Sequence, residues 1–196
     1  MKNLFATVTV LFSFISNSQC IKGNCENGEG TYKYIDDGTF VGVFKNGDAY
    51  KGVFTNTKFS KPIIFEGYFI DTDNGPVIDS SKKGKMIHFS NYELEGFITE
   101  IITDENGRKL YDWVLNGLGE KKVLTQSGGF QVQKGSFINN VLNDENGIIV
   151  YSNGTKYFGG VVNGKRQGLG KETTPDGFPT AIPFLKVFPF HSPFLF

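Results

Sequence analysis

The amino-acid sequence predicts an all-β protein, built as an elongated, twisted array of antiparallel β-hairpins. Asn-Gly and Asp-Gly pairs, which favour tight turns, recur at short intervals along the chain together with Gly-x-Gly triplets. Short alternating apolar runs, such as 39–44 and 63–70, fit strands between those turns. Helical periodicity is absent nearly everywhere, and only 100–106 is ambiguous. Single hairpins are marginally stable, so a stacked array is expected.

The first element, residues 1–18, has the features of a secretory signal peptide. Lys2 gives it a positive start, 4–15 is an apolar stretch, and 16–18 is a small-x-small cleavage site. The apolar stretch is too short to span a bilayer. Cleavage after Ser18 predicts a secreted, periplasmic or cell-envelope protein with no transmembrane helix after processing.

The mature chain begins with two cysteines, Cys20 and Cys25. In an oxidising compartment two thiols this close most simply form a disulfide, the alternative being one free and one buried thiol. A lipid anchor on Cys20 is disfavoured, because Asn17 and Gln19 stand where a lipobox requires an apolar and a small residue. The two histidines lie far along the chain, so no metal site is predicted.

The clearest repeat unit lies near the C-terminus and is defined by Tyr157, Gly159, Asn163, Gly164, Gly168, Gly170 and Gly177. The pair at 163–164 predicts a two-residue turn with positive φ at both positions. Glycine inside a strand normally weakens pairing, so Gly159, Gly168 and Gly170 are expected to allow close approach of a neighbouring backbone. The ring of Tyr157 is expected to fill the space that the glycines leave.

A second copy, with one inserted residue, covers 28–54. Its repeat positions are Gly28, Gly30, Gly38, Phe40, Gly42, Phe44, Gly47, Tyr50 and Gly52. Between the two copies the pattern is degenerate and 55–116 is only loosely periodic, with weaker echoes around Gly67, Gly96 and Gly135. The number of repeats within 55–140 stays open.

These segments resemble MORN repeats, whose pattern runs Tyr-x-Gly-x-aromatic, Asn-Gly, Gly-x-Gly and a closing Asp-Gly. The array is placed at 19–177, and the resemblance is clearest over 28–54 and 142–177, although Val161 stands where an aromatic is usual. The resemblance implies an elongated, twisted ribbon of hairpins that serves for binding or spacing. It implies neither catalytic residues nor a cofactor.

Acid pairs are the candidate catalytic features of the sequence, namely Asp36 with Asp37, Asp71 with Asp73, and Asp104 with Glu105. Such pairs are able to serve a glycoside hydrolase or to bind calcium. Each pair leads into Asn-Gly or Gly, so turn formation is the ordinary explanation. We therefore predict no catalytic residue, cofactor or metal.

Aromatic and basic residues provide two further candidates for binding. Tyr50, Tyr157 and Phe40 would suit a stacking platform for sugar or peptide, but their repeat positions favour packing between hairpins. The lysines at 82, 83 and 85 are interpreted as a solvated loop. Twenty basic and twenty acidic residues cancel, so no nucleic-acid partner is expected.

The tail at 178–196 is rich in Phe and Pro and departs from the repeat. It is interpreted as a cap on the last hairpin, a hydrophobic docking segment or the product of a lost reading frame.

Two functional hypotheses follow for the whole chain. The first is an exported, non-enzymatic binding or scaffold module with a protein, glycan or lipid partner, and lipid-binding or membrane association is a variant of it. The second is an envelope carbohydrate-active hydrolase that uses one of the acid pairs.

Overall fold

The computed structural model describes residues 19–35, 38–72, 75–88 and 91–183. These residues form strands and no helix, which confirms the all-β prediction. The strands are β1 (Gln19–Gly23), β2 (Gly28–Tyr34), β3 (Gly38–Lys45), β4 (Asp48–Asn56), β5 (Ile63–Thr72), β6 (Gly75–Ile78), β7 (Lys83–His88), β8 (Tyr92–Glu105), β9 (Arg108–Leu124), β10 (Phe130–Ile138), β11 (Val141–Leu142), β12 (Asp144–Val150), β13 (Lys156–Val162), β14 (Lys165–Thr173) and β15 (Pro179–Pro183).

The strands follow one another across a single sheet in chain order. The path is β1-β2-β3-β4-β5-β7-β8-β9-β10-β12-β13-β14-β15, with β6 paired to β5 and β11 paired to β10. Neighbouring strands are antiparallel and lie about 4.8 Å apart, so the ribbon is roughly 60 Å long. An open antiparallel ribbon of consecutive hairpins agrees with the predicted array. In the part of the chain described above, no helix is long and apolar enough to cross a membrane.

Among the described residues, four hairpins close through two-residue turns with positive φ at both positions: Asn46-Gly47 (52° and 87°), Asn106-Gly107 (57° and 78°), Asn139-Asn140 (47° and 66°) and Asn163-Gly164 (50° and 72°). Asparagine and glycine tolerate this left-handed conformation better than other residues. The turn predicted at Asn163-Gly164 is therefore confirmed.

Three of these turns are held by the hairpin that precedes them. In each, an asparagine Oδ1 accepts the first turn N–H, and the backbone oxygen just before that asparagine accepts the second. The asparagines are Asn27 for turn 46–47 (3.0 Å), Asn116 for turn 139–140 (2.9 Å) and Asn143 for turn 163–164 (2.8 Å). The backbone oxygens belong to Glu26, Leu115 and Leu142, at 2.9, 3.1 and 2.9 Å. We call these contacts turn locks, and they tie successive hairpins together.

A row of glycines crosses the sheet and receives one residue from every strand of the main path except β15. Its members are Gly23, Gly30, Gly42, Gly52, Gly67, Gly84, Gly96, Gly119, Gly135, Gly147, Gly159 and Gly170. Most neighbours in the row are direct register partners. The segment 55–116, loosely periodic in sequence, thus continues the same row.

The hydrophobic core lies over this row, on one face of the sheet. Phe40 and Phe44 flank Gly42, and their ring centroids are 5.1 Å apart in an edge-to-face arrangement. Four residues of extended strand would separate their Cα atoms by about 13 Å, so both rings lean over the glycine. The same arrangement of buried residues flanks other row glycines, as with Phe65 and Phe69, Leu94 and Ile98, and Tyr157 and Val161. Each such side chain contributes roughly 1.5–3 kcal/mol through burial.

The row glycines at the C-terminal end leave room for one aromatic ring. A Cβ on Gly170 would lie 2.3 Å from the ring of Tyr157, and a Cβ on Gly159 would lie 2.8 Å from its hydroxyl oxygen. Tyr157 is fully buried and donates a hydrogen bond to the backbone oxygen of Gly160 at 2.9 Å. This confirms that Tyr157 fills the space the glycines leave.

The close approach predicted at Gly168 is wrong. A Cβ there would meet no atom within 4 Å, and its φ is +73°. Gly168 and the exposed Leu169 are instead the extra residues of a bulge between the pairs Gly159↔Gly170 and Val161↔Arg166. Glycine is required at 168 by backbone conformation and at 170 by space.

Both ends of the described ribbon are closed by local structure. The predicted Cys20–Cys25 disulfide is present, with Cα atoms 5.9 Å apart, and it joins β1 to the loop before β2. At the other end β15 pairs with β14 and carries a proline at each terminus, which suits an edge strand. Residues 179–183 thus cover the edge of β14, while the three interpretations of the tail at 178–196 stay predictions. The signal-peptide prediction at 1–18 and the tail from 184 onward lie outside the described residues.

Candidate functional site

Two members of the acid pairs, Asp71 and Asp104, are engaged in structural contacts. Asp71 Oδ2 accepts hydrogen bonds from the hydroxyl of Tyr34 at 3.0 Å and from the amide of Ala49 at 3.2 Å. Burial and the neighbouring Asp71 raise the pKa of Tyr34, which keeps the phenol protonated. Asp104 Oδ1 accepts the amide of Gly107 at 2.9 Å and so supports a turn.

The other members of the acid pairs are either outside the described residues or exposed. Positions 36, 37 and 73 lie outside the described residues. Glu105 ends β8 beside the turn and is exposed. Within the described ranges, no group of His, Cys, Asp and Glu side chains is arranged to hold a metal ion.

The predicted aromatic candidates do not come together on one surface. Phe40 and Tyr157 are fully buried in the core, as packing between hairpins requires. Tyr50 is half-exposed, and its ring lies 5.5 Å from that of Tyr68 in an edge-to-face contact. The surface candidate is therefore the pair Tyr50 and Tyr68.

A bulge explains the position of Tyr50. Val43 pairs with Lys51 and Phe44 pairs with Ala49, which leaves Tyr50 as an extra residue on β4. Because a bulge re-aims side chains, Tyr50 escapes the alternation that would place it over the core. On β5, Tyr68 follows the row residue Gly67 and faces away from the core, and it is the register partner of Lys51.

Three lysines lie over these two rings. The Lys45 ammonium is 3.4 Å from the ring centroid of Tyr50, and the Lys51 ammonium is 5.1 Å from that of Tyr68. The Lys82 ammonium is 4.7 Å from the Tyr68 centroid and 5.6 Å from the Tyr50 centroid. Exposed contacts of this kind contribute roughly 0.5–1 kcal/mol each. We call the five side chains the Tyr–Lys cluster.

Asp79 positions Lys82 in this cluster. Its Oδ1 accepts hydrogen bonds from the Ser81 hydroxyl at 2.6 Å and the Ser81 amide at 3.0 Å, and its Oδ2 lies 2.9 Å from the Lys82 ammonium. The Ser81 hydroxyl and then Lys82 lower the pKa of Asp79, so this carboxylate stays ionised. The Asp79 amide also donates to the backbone oxygen of Tyr68 at 2.8 Å, which fixes the loop beside the ring.

The cluster carries uncompensated positive charge. Among the described residues, Lys82 has an ion-pair partner in Asp79, while Lys45 and Lys51 have no carboxylate within ion-pair distance. Asp48 is the register partner of Lys45 on the neighbouring strand. The chain as a whole is neutral, so this positive charge is a local feature of the surface.

The sequence interpretation missed this cluster at two points. The lysines at 82, 83 and 85 were predicted to form one solvated loop, but Lys83 and Lys85 lie in β7 and Lys82 alone contacts the rings. Lys51 and Tyr68 sit directly beside the row residues Gly52 and Gly67. The position next to a row glycine, which faces outward, is the signal that would have found them.

Apart from the Tyr–Lys cluster, a surface depression of about 430 Å³ lies beside the bulge at Gly168. Val161, Val162 and Leu169 line it together with Glu145. It is mainly apolar, and its charged lining residues are the adjacent Asp144 and Glu145, of which Asp144 already accepts the backbone amides of Ser136 and Asn146. It therefore offers less information about a partner than the Tyr–Lys cluster.

No protein-family model matches this chain, and no curated protein matches it significantly.

Proposed function

We propose that the protein is an exported, non-enzymatic MORN-type repeat protein that acts as a binding or scaffold module at the cell envelope or outside the cell. The export part is supported by the charged start, apolar stretch and small-x-small site of residues 1–18. The Cys20–Cys25 disulfide suits an oxidising compartment.

The observation that carries the binding role is the Tyr–Lys cluster on the outer face of the ribbon. Its lysines are exposed, two of them lack a carboxylate partner among the described residues, and rings on adjacent strands hold them together. Collecting like charges costs electrostatic energy, which a partner of opposite charge offsets.

The contacts of the acid pairs support the non-enzymatic reading over the hydrolase. A glycoside hydrolase needs two carboxyl groups flanking a substrate, about 5–10 Å apart. In the described part of the chain, Asp71 accepts hydrogen bonds from Tyr34 and Ala49, and Asp104 accepts one from Gly107, so both carboxylates maintain local structure.

Lipid binding is the second candidate, because the same positive cluster would also attract an anionic membrane surface. Comparing vesicles that contain an anionic lipid with polymers that contain no lipid distinguishes a membrane from another anionic partner.

The export proposal is tested by sequencing the N-terminus of protein recovered from outside the cytoplasm after expression of the full chain. We expect it to begin at Gln19. An intact Met1 on the exported product would contradict the proposal, and a lipid on Cys20 would replace cleavage after Ser18 with the anchored form.

The binding proposal is tested by cosedimentation of the exported protein with insoluble envelope material. We expect saturable binding without release of soluble fragments. Absence of saturable binding would contradict the proposed role of the protein as a binding module. Release of fragments that is lost in Asp71→Asn or Asp104→Asn would establish the hydrolase instead.

A further inference from the structure

The geometry points to an acidic glycan as the ligand of the Tyr–Lys cluster: we propose that its carboxylate or phosphate groups bind the ammonium groups of Lys45, Lys51 and Lys82. This inference rests on the proposed binding function and gives it a ligand class.

The ammonium groups of the cluster are held close together before any ligand binds. Three lysines surround two rings, and the carboxylate paired with them is that of Asp79. A flexible lysine normally loses rotamer entropy when it binds an anion. Here the rings already hold each ammonium, so part of that cost is met before binding.

The cluster lies on an open face of the sheet. Lys45, Lys51 and Tyr68 belong to β3, β4 and β5, neighbouring strands of an open sheet. Lys82 lies in the loop before β7, so the three charges surround the two rings on this face. Because the face is open, a polymer with repeated anionic groups is able to extend past the charges on either side, whereas a single compact ion is better held in an enclosed pocket.

The role of the rings favours a glycan over a membrane. Insertion into a bilayer interface requires free aromatic or aliphatic groups. The rings of Tyr50 and Tyr68 are half-buried, and ammonium groups already lie over them.

The test measures affinity of the disulfide-bonded exported protein for polygalacturonate, for a glycerol-phosphate polymer and for a neutral polysaccharide. Phosphatidylcholine vesicles with and without phosphatidylglycerol form a separate arm. We expect binding to one or both acidic polymers, weakening with added salt, and none to the neutral polymer. The two polymers distinguish carboxylate from phosphate recognition.

Variants connect the binding to this site. Lys45→Gln/Lys51→Gln should lower affinity for the acidic polymer about tenfold. Tyr68→Leu, which keeps every lysine, should lower it less but measurably, because Lys51 and Lys82 lose the ring that holds them. The matched control is Lys165→Gln/Lys171→Gln, which removes two exposed lysines at the other end of the ribbon. It should bind as the unmodified protein does.

Several results would overturn the inference. Equal losses in the two lysine pairs would indicate nonspecific attraction, and binding to phosphatidylglycerol vesicles alone would establish the lipid partner. Failure to bind either acidic polymer, with saturable binding to envelope material retained, would refute the ligand class and leave the proposed function standing. Loss of both would refute both.

Discussion

The hairpins β8–β9 and β13–β14 are built from the same unit and differ in length. Each return strand contains a glycine in the left-handed region, an exposed leucine and then a row glycine: Gly117-Leu118-Gly119 in β9 and Gly168-Leu169-Gly170 in β14. The left-handed φ values are 71° and 73°. The shared bulge identifies β8–β9 as a repeat unit within the loosely periodic centre.

The difference lies beyond the bulge. In β13 the turn begins directly after Val162, and Asn143 locks it to the preceding hairpin. In β8 the pairing continues from Phe97 to Glu105 before the turn at Asn106-Gly107. That turn is supported within its own hairpin, through Asp104. The glycine row therefore sets the architecture of the sheet, whereas the length of a hairpin beyond the row is free to vary.

The largest expected effect is at the row glycines, in both hairpins alike. Gly170→Val would drive a side chain into the Tyr157 ring, and Gly119→Val would place Cβ 2.4 Å from the backbone oxygen of Glu95. We expect each to lower the free energy of unfolding by about 3 kcal/mol, measured by urea denaturation. A large loss of stability from one substitution and none from the other would show that the row glycines of the two hairpins are not equivalent.

The bulge glycines should show a smaller, purely conformational effect. Gly168→Ala and Gly117→Ala meet no backbone obstacle but must adopt a left-handed φ, at a cost of about 1–2 kcal/mol. Asparagine tolerates this region better, so Gly168→Asn should be milder. The same denaturation series provides the measurement. If Gly168→Asn proved as harmful as Gly170→Val, backbone conformation would not be the reason for glycine at 168.

The turn locks should matter where they exist. Asn143→Ala removes the acceptor of the Asn163 amide and should cost about 1 kcal/mol. Hydrogen exchange of the Asn163 amide should accelerate, while the amides of the 106–107 turn should be unaffected. Equal acceleration in both turns would show that Asn143 acts on the whole ribbon and not on one contact.

The smallest expected effect is on the long arm of β8–β9. Ile102 is exposed, so Ile102→Ser should change stability by less than about 0.5 kcal/mol. Its buried counterpart nearer the row, Ile98→Val, should cost about 0.5–1.5 kcal/mol even though it removes a single methyl group. Thermal unfolding of the two variants places the limit of the core along the arm. A costly Ile102→Ser would mean that the arm packs against something.

Much of this architecture follows from local signals in the sequence. The turn at Asn163-Gly164, the Cys20–Cys25 pair and the all-β class depend on adjacent or nearly adjacent residues. Within 55–116 the sequence indicated the row only through weaker echoes around Gly67 and Gly96, because the arm separates the turn at 106–107 from the triplet at 117–119. The opposite requirements at Gly168 and Gly170 depend on neighbouring strands, which residue spacing does not show.

The sequence interpretation missed the assembly of the Tyr–Lys cluster for a similar reason. Tyr50 is on β4, Tyr68 is on β5 and Lys82 precedes β7. The bulge that turns Tyr50 outward depends on the register of β3 with β4. Sequence spacing assigned Tyr50 to the packed interior, along with Phe40 and Tyr157.

The central claim is that row glycines leave space for atoms of neighbouring strands, such as a ring at Gly170 and a backbone oxygen at Gly119. A double-mutant cycle between Gly170 and Tyr157 tests it directly. Gly170→Ala should destabilise the unmodified protein but have a much smaller effect in a Tyr157→Ala background, because the obstructing ring is gone. We expect a coupling of at least about 1 kcal/mol, against additivity for the control cycle of Gly168→Ala with Tyr157→Ala. Additive effects of Gly170→Ala and Tyr157→Ala would contradict the account.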